Sequence, residues 1–99
     1  MVKNSGMDAA RTGVVEVRYW ASARAAAGVD GESVEVSGPV SVSAVVAEVV
    51  SRRPGGEASR LADVLGMCSV LVGDRPTRDR SVEVEPGGSV EFLPPFAGG

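Results

Sequence analysis

Few side chains in this sequence are equipped for catalysis. There is no histidine and a single cysteine, Cys68, which excludes disulfide frameworks, zinc clusters, Cys-His dyads and Ser-His-Asp triads together. Cys68 opens the apolar run Cys68-Ser69-Val70-Leu71-Val72, lacks the electropositive neighbours of a reactive thiol, and reads as a small core residue. The unusual stretch is Leu93-Pro94-Pro95-Phe96-Ala97-Gly98-Gly99. Leu93 precedes a proline and is pushed toward extended geometry, while Pro94-Pro95 fixes φ near the polyproline value, so a strand ending at Leu93 continues as a stiff spacer. From Pro94 to Gly99 the chain spans roughly 20 Å when extended. Gly98 and Gly99 carry no Cβ and can thread a channel closed to larger residues. Phe96 is the one large apolar group beyond Leu93 and suits a pocket on a partner as an anchor. Taken separately, Gly-Gly reads as a frayed terminus and Pro-Pro as a plain stop after a strand.

Composition narrows the partners. Ninety-nine residues, 43% of them hydrophobic, suffice for one domain with one core. The net charge of -3 provides no basic field for a phosphate backbone or an anionic membrane surface, so neither nucleic acid nor membrane is expected as a partner. No apolar run reaches signal-peptide or membrane-span length, and a cytoplasmic location is expected. All but one of the ten basic residues are arginine, a bias without a functional reading.

The elements that must position the tail follow from periodicity. Residues 1–13 are polar and aperiodic and read as a flexible leader. Val14 to Trp20 alternates, with Val15, Val17 and Tyr19 on one face and Glu16, Arg18 and Trp20 on the other, which predicts a half-buried strand. Gly28 and Asp30-Gly31 suggest a hairpin-like connection to a second strand over Glu32–Val36. Ser41 stands at a helix N-cap, and Val42, Val45, Val46, Val49 and Val50 follow at helical spacing, so the pattern overrides the poor helix propensity of valine. Arg52 and Arg53 suit the negative end of the helix dipole, and Pro54-Gly55-Gly56 is expected to stop the helix. A short helix is predicted over Glu57–Leu65, a central strand over Cys68–Val72, and a turn at Asp74-Arg75-Pro76. Ser81–Glu85 is expected to pair weakly, and Ser89–Leu93 to form the last strand with Val90 and Phe92 inward. The expected class is α+β: a mixed sheet of four to five strands on one main helix plus a short helix.

This order resembles the β-grasp of ubiquitin. Val15-Glu16-Val17-Arg18-Tyr19-Trp20-Ala21 with Arg24 and Gly28, the Val72-Gly73-Asp74 turn, and Val90 to Gly99 resemble the MoaD/ThiS ubiquitin-like sulfur-carrier family, in particular the small subunits of molybdopterin synthase. The likeness covers residues 14–99, with a β-grasp domain over 14–93 and an extended tail over 94–99. Two positions depart from the pattern: Ala25 follows Arg24 where glutamate is frequent, and Arg18 stands where aromatic or aliphatic residues are usual. The resemblance implies that Gly99 lends its α-carboxylate as the reactive group. An adenylating enzyme that consumes ATP would couple it to AMP, and sulfide would displace AMP to give a thiocarboxylate. It also implies that the chain binds no cofactor itself and is not an enzyme, since acids, bases and metals belong to its partners.

A β-grasp places the first and last strands side by side in parallel, which brings Trp20 and Leu93 together at the base of the tail as a docking patch, with Val70 or Leu71 extending it. The alternative is a loop folded over Trp20. Arg24 pairs with a partner or with a local carboxylate, and Glu83, Glu85 and Glu91 face either a partner's basic rim or solvent. Three functions compete. The first is a sulfur carrier acting with the large catalytic subunit of molybdopterin synthase, or in cysteine or thiamin synthesis. The second is a protein modifier joined through Gly99 to lysines, and the third a binding module with an inert tail.

Overall fold

The computed structural model describes residues 12–95; the expected leader up to Arg11 lies outside them. Strand β1 (Gly13–Tyr19) has the expected alternation, with Val15, Val17 and Tyr19 buried. The connection after it differs from the expected hairpin. Ala21–Ala27 forms helix α1, closed by Gly28 at φ 83°, whose N–H reaches the Arg24 carbonyl. Five alanines in seven residues favour helix intrinsically, and glycine takes the left-handed cap without a Cβ clash. Strand β2 (Gly31–Val36) then pairs antiparallel with β1, from Gly13↔Val36 to Arg18↔Gly31.

After the two-residue strand β3 (Val40–Ser41), helix α2 (Val42–Ser51) starts at Ser41, whose hydroxyl accepts from the Ala44 N–H at 3.0 Å. Val42, Val45 and Val49 are buried, and Val46 and Val50 pack beside them, so the helical stripe prevails over valine's β preference. Helix α3 (Gly55–Gly66) is longer than expected and begins directly after Pro54. The Pro-Gly-Gly run that stops α2 also starts α3, because proline takes the N-cap, where extended geometry is required. Leu61 and Leu65 are fully buried.

Strands β4 (Ser69–Val72) and β5 (Arg75–Thr77) form a hairpin around Gly73, at φ 64°. The turn expected at Asp74-Arg75-Pro76 is therefore shorter, and Pro76 lies in a strand. It is tolerated there because β5 is at the sheet edge, where a missing N–H breaks no ladder. The weak pairing expected near Ser81–Glu85 is β6 (Glu83–Val84), which joins β3 in a separate two-stranded ladder. The last strand, β7 (Ser89–Leu93), lies parallel to β1 and antiparallel to β4.

The main sheet has the order β2-β1-β7-β4-β5. Its inner face (Val15, Val17, Tyr19, Val70, Val90, Phe92) meets Ala23, Val42, Val45, Val49, Leu61 and Leu65 from the helices. Among the described residues, three helices on one face of a five-stranded mixed sheet make the α+β, ubiquitin-like β-grasp. Among the described residues no helix is long and apolar enough to cross a membrane.

Candidate docking face and tail exit

The face of the sheet opposite the helices is built by alternation along β1, β7 and β4. Burying Val17, Tyr19, Val90, Phe92 and Val70 turns Arg18, Glu91 and Leu71 outward, and the registers Arg18↔Glu91 and Leu71↔Glu91 set them in one row. One step further along, beyond Tyr19↔Phe92, stand Trp20 and Leu93. Leu71, not Val70, thus extends the patch: Val70 is buried and Leu71 half-buried.

Trp20 is 45% exposed, and among the described residues no loop covers it. It is nonetheless tightly held. Its N–H donates to the Phe92 carbonyl at 3.2 Å, and its own carbonyl accepts from Ala23 and Arg24 at 2.9 and 3.3 Å. It serves as N-cap of α1 with extended backbone, so the chain turns from β1 into the helix without a linker, with Ala21 at φ 49°. The indole Nε1 donates to Glu91 Oε1 at 2.9 Å, and the Arg18 guanidinium lies 5.9 Å from the ring centroid. Glu91 therefore has an intramolecular role, whereas Glu83 and Glu85 are solvent-exposed.

Leu93 and Pro94 are half-buried and Pro95 is exposed. Pro95 borders a groove lined also by Met67, Cys68, Ser69, Arg78 and Arg80. The remaining predicted tail residues, Phe96, Ala97, Gly98 and Gly99, lie outside the described residues. Arg24 pairs with Asp30 at 3.4 Å, both well exposed; this is the local-carboxylate alternative, and such surface pairs contribute little. Cys68 is buried, its thiol donating to the Val64 carbonyl at 3.3 Å. Burial pushes that thiol's pKa up against the lowering effect of Arg80, so it is a packed, protonated core group.

A polar cluster on the helix-covered side of the sheet was missed by sequence reasoning. Tyr19 donates its hydroxyl to Glu32 Oε2 at 2.5 Å, and Glu32 pairs with Arg53 at 2.7 Å and Arg52 at 3.2 Å. Arg53 also donates to the Val49 and Ala27 carbonyls, and Arg52 to that of Ser33. Glu32 thereby ties three elements, β1, β2 and the end of α2, at one point, and the Arg53 bond to Ala27 adds the end of α1. Burial alone would raise the Glu32 pKa, but hydrogen bonds from Tyr19 and Arg53 outweigh it and hold the carboxyl below its usual range. Burial first, and then the Glu32 hydrogen bond, push the Tyr19 phenol far above its ordinary value. Two signals pointed here: Glu32 shares the inward parity of Val34 and Val36, and a buried tyrosine hydroxyl requires a partner.

The ThiS family model matches residues 17–99 of the chain. In structure the chain is similar to the putative molybdopterin converting factor, subunit 1, from Pyrococcus furiosus (23% identity, TM-score 0.67, covering 85% of this chain and 99% of that one). It is likewise similar to SAMP1, small archaeal modifier protein 1, from Haloferax volcanii (22% identity, TM-score 0.69, 88% and 100%). A third likeness is to the complex of subunits 1 and 2 of molybdopterin-converting factor from Helicobacter pylori 26695 (17% identity, TM-score 0.59, 87% and 99%). At these identities the likeness is one of fold. Among curated proteins none matches the chain.

Proposed function

The chain belongs to the ThiS family, and from that premise we propose that it is a sulfur carrier, with the small subunit of molybdopterin synthase as its preferred role. The observation that carries this reading is the placement of the last strand. β7 is central, parallel to β1, and ends at Leu93, one step beyond Tyr19↔Phe92 like the exposed Trp20, on the face that carries the half-buried Leu71, with Pro94 and Pro95 directly following. An enzyme docked on that face receives whatever follows Pro95.

The chemistry begins at the α-carboxylate of Gly99. Within an adenylating enzyme a carboxylate oxygen attacks the α-phosphorus of ATP, pyrophosphate leaves, and an acyl-adenylate results. Sulfide adds to the acyl carbon, and AMP departs with the electrons of the broken C–O bond, leaving a thiocarboxylate. The chain supplies a group and a shape, and its partners supply the catalysis. The large catalytic subunit of molybdopterin synthase would then use that sulfur on a pterin precursor. Support for such a partner comes from the related fold of the molybdopterin-converting factor complex of subunits 1 and 2. Carriers for cysteine or thiamin synthesis would use the same terminal chemistry.

A second reading, a modifier joined through Gly99 to lysines of target proteins, is favoured by the likeness to small archaeal modifier protein 1. Deleting Gly99 tests the reactive group. With adenylating enzyme, ATP and a sulfur donor present, sulfur transfer is expected to vanish while the unfolding midpoint stays at the wild-type value. Transfer that survives the deletion refutes the assignment, and lysine-linked adducts in cells would favour the modifier.

A further inference from the structure

Lys3 is the one lysine among the basic residues, so residues 12–99 hold no side-chain amine. For some of the arginines the fold supplies a reason. Arg53 and Arg52 spread their nitrogens over Glu32 and backbone carbonyls, and Arg80 donates to the Leu65 and Cys68 carbonyls at 2.9 and 3.0 Å. A lysine ammonium does not reproduce that planar fork. Arg60, Arg75 and Arg78 differ: all three are exposed, and their side chains bond to no other described residue. As surface cations they would lose no contact as lysine.

Register separates two of them. Thr77 pairs with Val70 and Val70 with Phe92, so Arg78 follows at the end of the sheet where Leu93 leaves β7. Arg75 pairs with Val72, and Val72 with Val90, which sets it toward the opposite end. Arg78 also lines the groove that Pro95 borders. From Pro95 to Gly99 the chain spans about 14 Å when extended, so the terminal carbonyl can return to a side chain at position 78.

We propose that Arg78 is a specificity-determining residue: it sets a cation at the tail exit without an amine, and so leaves the activated Gly99 carbonyl to the external sulfur nucleophile. This rests on the carrier reading. In the reaction it prevents, a neutral amine attacks the acyl carbon of the adenylate and a C–N bond forms. AMP leaves with the electrons of the broken C–O bond, and the nitrogen releases its proton to solvent. The resulting cyclic amide no longer accepts sulfur. A guanidinium stays protonated and offers no such lone pair. The short tail would hold a lysine amine at an effective concentration of about 1 mM, so even a small free-amine fraction intercepts a waiting acyl group.

The test compares the full chain with Arg78→Lys and Arg75→Lys, which keep the charge at exposed positions. In one arm each protein carries Gly99 as a 2-mercaptoethanesulfonate thioester, at about 10 μM and pH 8.5, where roughly one lysine in a hundred is free amine. Lys3 and the α-amino group give all three the same background. Arg78→Lys should form an amide about 18 Da lighter than its own free acid, with the link mapped to position 78, at least about tenfold faster than wild type. Arg75→Lys should stay within about twofold of wild type. In the other arm the adenylating enzyme of the same organism and ATP are supplied, first without and then with a sulfur donor. Arg78→Lys should give the lighter product without the donor and a smaller share of thiocarboxylate with it.

An Arg78→Lys thioester that reacts no faster than Arg75→Lys overturns the proposal while leaving the carrier reading intact. Amide from the thioester but none in the enzymatic reaction also overturns it, because the enzyme then shields the acyl group itself. If the wild-type chain gains no sulfur, the carrier reading and the role of Arg78 fall together, and the thioester comparison still reads whether position 78 lies within reach of the terminus.

Discussion

Glu32→Gln probes the point where three elements meet. The substitution keeps side-chain size and an oxygen able to accept from Tyr19, but removes the charge that faces two arginines. Arg53, 10% exposed, and Glu32, 16% exposed, form the drier pair at 2.7 Å, while Arg52 is 34% exposed at 3.2 Å. A charge-assisted bond in the drier setting contributes about 1.5 kcal/mol and the wetter one about 0.5 kcal/mol, so the loss is about 2 kcal/mol. For a domain of this size that lowers Tm by about 8–16 °C. Urea unfolding followed by circular dichroism measures the change, with m expected to stay constant. The pH dependence gives an independent arm. Because the folded Glu32 pKa is depressed, its contribution is present above the unfolded value of about 4.3 and lost as pH falls through the folded value. Glu32→Gln should therefore flatten the acid limb of the stability curve. A variant within about 0.5 kcal/mol of wild type, with an unaltered acid limb, would refute the reasoning and show that desolvation cancels the ion pairs.

Further expectations follow from other parts of the fold. Tyr19→Phe should cost about 1.5 kcal/mol by losing a bond to a charged acceptor, read by the same urea titration. Since the folded phenol pKa is raised, wild-type stability should also decline as pH rises above about 10, where unfolded tyrosine ionises, and Tyr19→Phe should remove that share of the decline. Trp20→Ala should weaken binding of the adenylating enzyme about 30-fold, the cost of removing an interface hot spot; unchanged affinity by calorimetry would exclude the docking face. Cys68 should resist iodoacetamide at neutral pH in the folded protein and react in urea, and rapid native alkylation would contradict its burial.

Periodicity made much of this fold legible. The valine stripe of α2 and the alternation of β1 identified both elements and put Trp20 on the outer face, because each pattern records which side meets the core. Helix α1 escaped because its segment is nearly all alanine with Arg24, too uniform to show a face, and Gly28 and Asp30-Gly31 imitate a hairpin. β5 escaped because Pro76 argues against a strand except at an edge, and edge position is a property of the whole sheet. The same limit hid the Glu91 bond to Trp20 and the Glu32 cluster. Each residue's parity is visible in the chain, but the register that joins residues 71 positions apart is set only when β7 inserts beside β1. Pro94-Pro95 restricts the backbone locally, without help from tertiary structure, whereas Phe96 to Gly99 lie outside the described residues.

The central claim is that Gly99 carries sulfur. Intact-mass spectrometry of the full chain, after incubation with its adenylating enzyme, ATP and a sulfur donor, tests it most directly. The expected product is heavier by about 16 Da, one oxygen replaced by sulfur, with the change confined to the C-terminal peptide. An unmodified mass under conditions where the enzyme binds the chain and turns over ATP would contradict the account.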